Sequence, residues 1–387
     1  MLRNEHFLLY FYLTIFHIIL YNKLKPNKHI LGGIKMVKVN TQTLQAMVGK
    51  LSKITGNKLL EITRYYSLVV DENGLTITGT DGNNYLKVMD ATVTGDAMNI
   101  IIKGDQFSKL VSRTTVKELK LTLRDSYLEI VGNGKYKVEV LVDEEYPSWT
   151  FKNDAEGVEI NVAALKGILS TNKFAISNNI ADGVLNGYYF GGSKAITADG
   201  IKVCVSDMKF MDNNVLITKE LMDLLCTVTD EKATLQYDGG KILVTSSNTI
   251  VYGTEFEGID EYPDILPLVD TQLPSKCSVS KLMVLNVLDR LSLFIDVFEK
   301  NEVILAFTNE GLVISTNSGS YEGIMYVSSE NFTEFTCCVN GVYFKELVQA
   351  VTTENFELHY GDETLIKICS ANMIELLATG EDEEEGE

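Results

Sequence analysis

Short strings in which apolar and polar residues alternate recur along the chain. Leu75-Thr76-Ile77-Thr78, Glu129-Ile130-Val131 and Ile242-Leu243-Val244-Thr245 each read as a strand with one apolar face, and Gly, Asn or Asp turns follow them. Between such strings lie stretches with helical spacing of apolar residues, such as Leu44, Val48 and Leu51, or Leu282, Leu285, Leu288 and Leu291. They predict helices over 41–54, 104–113, 162–173, 218–228, 279–294 and 342–352.

The strings repeat. Gly74-Leu75-Thr76-Ile77-Thr78-Gly79 resembles Lys194-Ala195-Ile196-Thr197-Ala198-Asp199 and Gly311-Leu312-Val313-Ile314-Ser315-Thr316. Tyr127-Leu128-Glu129-Ile130-Val131 resembles Lys241-Ile242-Leu243-Val244-Thr245 and Leu365-Ile366-Lys367-Ile368-Cys369, and Glu145-Tyr146-Pro147 returns as Glu261-Tyr262-Pro263. The period is about 115–120 residues, the size of a domain rather than of a solenoid unit. Three similar α+β domains are expected, over 36–150, 151–267 and 268–387, each with two helices backed by antiparallel sheet. The third ends in the acidic run 381–387, read as a solvated tail.

Chemistry is sparse. From Met36 onward the only histidine is His359, and no Walker loop, GxGxxG, HExxH or GxSxG occurs. Asp71-Glu72-Asn73-Gly74 lacks calcium-ligand spacing and reads as a hairpin turn. Cys204, Cys226, Cys277, Cys337, Cys338 and Cys369 form no CxxC pair and read as reduced thiols within apolar runs. No enzyme activity, cofactor or metal site is expected.

The formal net charge of −19 argues at first against nucleic acid, but the position of each charge matters more than the sum. Every predicted helix carries a cation: Lys50 and Lys53 with Lys58 just beyond, Lys109 and Arg113, Lys166 and Lys173, Lys219, Lys281 and Arg290, and Lys345. Strands and loops hold most of the acids. For any single lysine an ordinary solvated helix face is an adequate account. If the helices line a hole, however, a cationic lining would attract phosphates without regard to sequence, inside a rim that repels them.

With its motifs in this order the chain resembles the beta subunit of bacterial DNA polymerase III, the sliding-clamp family, from Met36 to about Leu377. The resemblance rests on Leu75-Thr76-Ile77-Thr78-Gly79-Thr80-Asp81, on Leu185-Asn186-Gly187 followed by Thr197-Ala198-Asp199-Gly200-Ile201-Lys202-Val203, on Glu261-Tyr262-Pro263-Asp264, and on Asn340-Gly341-Val342-Tyr343. It implies a cytoplasmic processivity factor acting in DNA replication at the nucleoid. Two copies would form a head-to-tail ring around double-stranded DNA, closed by a clamp loader. DNA polymerase and the loader would dock short peptides in an apolar cleft between the second and third domains. On matched positions the cleft would use Leu185, Gly200, Ile201, Lys202, Val203, Pro263, Asn340 and Tyr343, with Leu376 and Leu377 as a further wall. The homodimer seam would join Lys135, Tyr136 and Lys137 to Phe294 and Ile295, with Glu322 a remnant of the acids expected there. Ile201-Lys202 replaces the family's His-Arg, which makes the cleft more apolar.

Residues 1–35 stand apart. Phe7–Tyr21 is mostly apolar yet short for a membrane span, and Lys23, Lys25 and Lys28 follow it. Leu31-Gly32-Gly33-Ile34-Lys35-Met36 can be encoded by a string containing AGGAGG, a ribosome-binding sequence, just before the Met36 codon. The segment therefore reads as a translated upstream leader, with an N-terminal anchor as the alternative. An anchor would make the chain a membrane-tethered adaptor built of clamp-like domains. A two-domain, trimeric clamp is the other rival, and the third repeat weighs against it.

Overall fold

The computed structural model describes residues 35–54, 56, 59–141, 144–152, 155–295 and 301–380. The apolar run 7–21, Lys58 and the acidic run 381–387 lie outside the described residues. Among the described residues no helix is long and apolar enough to cross a membrane.

Each principal helix springs directly from a strand. Strand Lys35–Asn40 runs into α1 (Thr41–Leu51), and Met98–Lys103 into α2 (Gly104–Ser112). Gly157–Asn161 leads to α3 (Val162–Asn172), and Val215–Thr218 to α4 (Lys219–Leu225). Ser275–Ser280 leads to α5 (Lys281–Leu291), and Phe335–Asn340 to α6 (Gly341–Ala350). The junction residue often supplies the cap. Asn40 accepts from the Gln42 amide at 2.9 Å, Asn161 from Ala164 at 2.9 Å, Thr218 from Leu221 at 3.2 Å and Asn340 from Val342 at 3.0 Å. These contacts satisfy amides that the first helical turn leaves without partners. The helices are shorter at their ends than the apolar spacing suggests, because cap geometry rather than periodicity ends a helix.

The helices bury one face each. In α1 this is Leu44, Met47, Val48 and Leu51, and in α5 it is Val284, Val287, Leu288 and Leu291. Each such side chain stabilises the fold by about 1.5–3 kcal/mol relative to exposure. The helices pack in pairs, α1 on α2, α3 on α4 and α5 on α6, and α3 also touches α6. Helix contacts thus run from the second repeat into the third, while the first repeat joins the second through the strand pairing of a shared sheet.

The sheets do not respect the repeats. Sequence alternation suggests a separate sheet system for each repeat, whereas a twelve-stranded sheet spans the first two. The join is the antiparallel pairing of Thr249–Thr254 with Tyr85–Asp90, where Val251 faces Leu86. A nine-stranded sheet likewise spans the second and third, through Lys202–Asp207 and Met373–Ala378, with Cys204 opposite Glu375. Pairing across the boundary satisfies edge amides and carbonyls that an isolated repeat would leave exposed. A four-stranded sheet, Tyr321–Ile324, Leu312–Ser315, Glu302–Phe307 and Phe335–Asn340, completes the third repeat.

The duplicated Glu-Tyr-Pro motif has a structural role. The Tyr146 hydroxyl donates to the Tyr65 carbonyl at 2.7 Å, and that of Tyr262 to the Ile196 carbonyl at 3.3 Å. Each tyrosine pins the segment leaving its repeat to a strand of that repeat. Asp71–Gly74 forms a hairpin turn in which the Asp71 carboxylate accepts from the Asn73 amide and Gly74 takes φ 106°.

Candidate nucleic-acid interface and partner cleft

The exposed faces of the helices differ between repeats. In the first, Lys53 and Arg113 lie exposed just past the ends of α1 and α2, and Lys109 pairs with Asp105 at 2.9 Å. Lys50 is half-buried, and its ammonium donates to Thr229 Oγ1, Asn248 Oδ1 and Thr249 Oγ1 at 2.8–3.2 Å. Burial lowers its pKa from the ordinary lysine value; the Asp230 charge opposes that, and the nearby Lys166 charge adds to it. In the second repeat, exposed Lys166 donates to the Val228 carbonyl at 2.6 Å, Lys219 to Asn178 Oδ1 at 3.1 Å, and Lys173 is exposed at the end of α3.

The third repeat spends its cations internally. Lys281 donates to the carbonyls of Gln349 and Val351 at 3.0 and 2.6 Å, where α6 ends and its carbonyls lack partners. Arg290 holds the Glu322 carboxylate through two contacts of 2.6 Å, and Lys345 meets Asp289 at 2.6 Å. The outward positions of α5 near these pairs include Leu282 and Met283, which are exposed apolar residues.

Between the second and third repeats an apolar cluster gathers Ile196, Val203, Val205, Ile265, Leu365 and Leu376, with Leu185, Tyr189 and Tyr262 packed at its margin. Tyr189 stacks on Tyr262 at 4.9 Å. Beside the cluster, Gly200 turns the chain at φ 91°, which only glycine adopts without strain, and the Asp199 carboxylate accepts from the Ile201 and Lys202 amides. Ile201 stands half-exposed on this turn, and Pro263 is exposed nearby in sequence to Tyr262.

Several expected cleft residues are committed elsewhere. Leu376 joins the cluster, but Leu377, on the opposite face of the same strand, is fully buried in the core of the third repeat. The Asn340 side-chain oxygen caps α6, accepting from Val342 and Tyr343. Lys202 is only 5% exposed. Its ammonium reaches Glu346 at 2.7 Å and Asp199 at 3.4 Å, and lies 4.3 Å from the Tyr343 ring centroid. It is thus a latch between the second repeat and α6. Sequence reasoning missed Glu346 and Phe174, which lines the same latch, because neither is near Lys202 along the chain. Only Asp199, three residues away, was within reach of a spacing argument.

Residues 35–150 match the family model described as DNA polymerase III beta subunit, N-terminal domain. A beta sliding clamp of Staphylococcus epidermidis is 20% identical over 337 residues, covering 80% of this chain and 88% of its own. The crystal structure of the DNA polymerase sliding clamp from Bacillus subtilis superposes with a TM-score of 0.80 at 16% identity, covering 90% of this chain and 99% of that one. The beta subunit of Thermotoga maritima gives 0.79 at 17%, covering 89% and 99%. The chain is similar to the bacterial DNA polymerase III beta subunits, most directly over residues 35–150. Its fold, from the first strand to the last, is that of the sliding clamps.

Within this beta subunit fold, two of the strand edges left open among the described residues lie near the expected seam residues. Lys135–Leu141 pairs along one side with Tyr127–Val131, while on the other only Val140 and Leu141 find a neighbour. Tyr321–Ile324 ends its sheet and pairs on one side only. Of the expected seam residues, Tyr136 and Phe294 are exposed, and Ile295 packs partly against the third core. Lys135 pairs with Glu129 at 2.8 Å, and Lys137 lies over the Tyr127 ring at 4.6 Å. Glu322, expected at the seam as a counter-ion, is taken by Arg290 of its own chain.

Proposed function

We propose that two copies of this chain close head to tail around duplex DNA and act as a processivity factor, holding a DNA polymerase on its template. The observation that carries this reading is the recurrence of a packed helix pair in each of three repeats, backed by antiparallel sheets that run across the repeat boundaries. Such a layer, closed on itself, gives DNA a smooth lining with no base-specific readout. The mechanism is topological and involves no bond-making step. Once closed, the ring leaves DNA only by opening, and weak contacts between cations and phosphates permit sliding. An ATP-driven loader would open it.

The open edges at Lys135–Leu141 and Tyr321–Ile324 suit pairing between subunits, with Tyr136, Phe294 and Ile295 supplying apolar contact. The polymerase and the loader would dock through extended peptides whose apolar side chains enter the cluster around Leu185, Val203 and Leu376. Ile201 and Pro263 would line its rim, and Gly200 would keep the approach clear.

The deciding measurement is retention on DNA. The protein, loaded by a clamp loader onto a nicked circle, should stay bound through gel filtration and be lost when the circle is cut once. Retention unchanged by linearisation would rule out encirclement.

A further inference from the structure

We propose that the groove where α1 meets α3 and α4 seats a backbone phosphate of duplex DNA through Lys53 and Lys166, and that the helices of the third repeat make no comparable contact. This rests on the helix layer facing DNA, and it assigns the ionic contacts within that layer unequally.

The groove encloses about 500 Å³ and is lined by Ala46, Gly49, Lys50, Lys53, Lys166, Leu169, Asp223, Cys226, Thr227 and Thr229. Three ammonium groups from two repeats face one carboxylate there, so the lining carries excess positive charge. Lys50 does not serve as the contact: its three N–H donors already meet three oxygens. It holds a fixed charge at the back of the groove, close enough to Lys166 for the two to repel. Lys166 has one partner, the Val228 carbonyl, which leaves two donors, and Lys53 is exposed with no hydrogen-bond or ion-pair partner among the described residues. An anion between them relieves the repulsion and takes the unused donors.

The helix surfaces give a second, independent observation. Gly49 and Gly167 sit inside α1 and α3, where glycine weakens a helix, and among the described residues no atom beyond the neighbouring helix backbone lies within 4 Å of where either side chain would begin. No described neighbour demands their smallness. An external backbone that approaches closely does, and Ala46 beside Gly49 continues the low floor. In the third repeat the arrangement is reversed. Lys281, Arg290 and Lys345 are spent on carbonyls, Glu322 and Asp289, and exposed Leu282 and Met283 occupy the free face of α5.

The test is the salt dependence of binding to a short linear duplex, followed by fluorescence anisotropy with the full chain. Each phosphate contact contributes about 0.9 to the slope of log K against log salt. Lys53→Ala with Lys166→Ala should make the slope shallower by about 0.9 for each copy bound. Lys53→Arg with Lys166→Arg should restore it, which separates lost charge from lost folding. Arg290→Ala with Glu322→Ala, and Lys345→Ala with Asp289→Ala, remove third-repeat ion pairs without changing net charge and should leave the slope unchanged. An equal fall for these pairs, or no fall for the first, overturns the assignment. So does an absence of salt-dependent duplex binding by the unmodified chain. In each case retention on circles would stand as a separate result.

Discussion

Glu375 is completely buried, and neither carboxyl oxygen has a hydrogen-bond partner among the described residues. Burial pushes its pKa well above the ordinary glutamate value, and the Lys281 charge offsets this only in part. Burial therefore favours the neutral carboxyl in the fold, opposite Cys204, whose thiol burial also pushes up. An unfolded chain ionises this carboxyl above its ordinary value of 4.5. In that range the native state binds the extra proton, so stability falls as pH rises towards the folded pKa. Glu375→Gln should raise the urea midpoint at neutral pH and converge with the unmodified protein near about pH 4. A variant less stable at neutral pH would show that the carboxylate is charged and paired. The half-buried Cys226 and the buried Cys277 follow the same direction: burial pushes both thiols up to about 12, which disfavours the reactive thiolate.

At the scale of elements, strand-to-strand and strand-to-helix junctions hold the repeats together. The Lys202 latch ties the strand Lys202–Asp207 to α6 across the boundary between the second and third repeats. Its main partner Glu346 is partly solvated, which moderates the interaction. Lys202→Ala should cost about 1.5–3 kcal/mol, since it removes charged hydrogen bonds and leaves Asp199 and Glu346 facing each other. A double-mutant cycle with Glu346→Gln, read by urea unfolding, should show coupling of at least about 0.5 kcal/mol. Additive losses would mean that the two side chains do not support each other. The Lys202 ammonium also lies over the Tyr343 ring, so loosening the latch should weaken the peptide docking proposed for the apolar cluster.

For the whole molecule, the open edges of Lys135–Leu141 and Tyr321–Ile324 and an apolar residue on the surface, Phe294, predict self-association. Light scattering should give about twice the subunit mass. Phe294→Asp should shift it towards the monomer, because a charge at an apolar seam must be desolvated without a partner. The same substitution should abolish retention on circular DNA while leaving the urea midpoint nearly unchanged. A dimer that tolerates Asp at this position would place the seam elsewhere.

Alternation and helical spacing determined the strands, the helices and their threefold recurrence, because these follow from local geometry and from which face must be buried. Leu44, Val48 and Leu51, or Leu75 and Ile77, mark their buried faces by position alone. Sequence order could not tell that sheets run across repeat boundaries, since the pairing of Val251 with Leu86 joins residues far apart in the chain. Nor could it tell which cations are free. Lys166 and Lys281 are equivalent as letters on predicted helices. One ends with unused donors in a cationic groove, and the other is consumed by the carbonyls that end a neighbouring helix. Charge is a property of the residue, but its availability depends on what the fold brings within about 3 Å of it, and that is decided only in three dimensions.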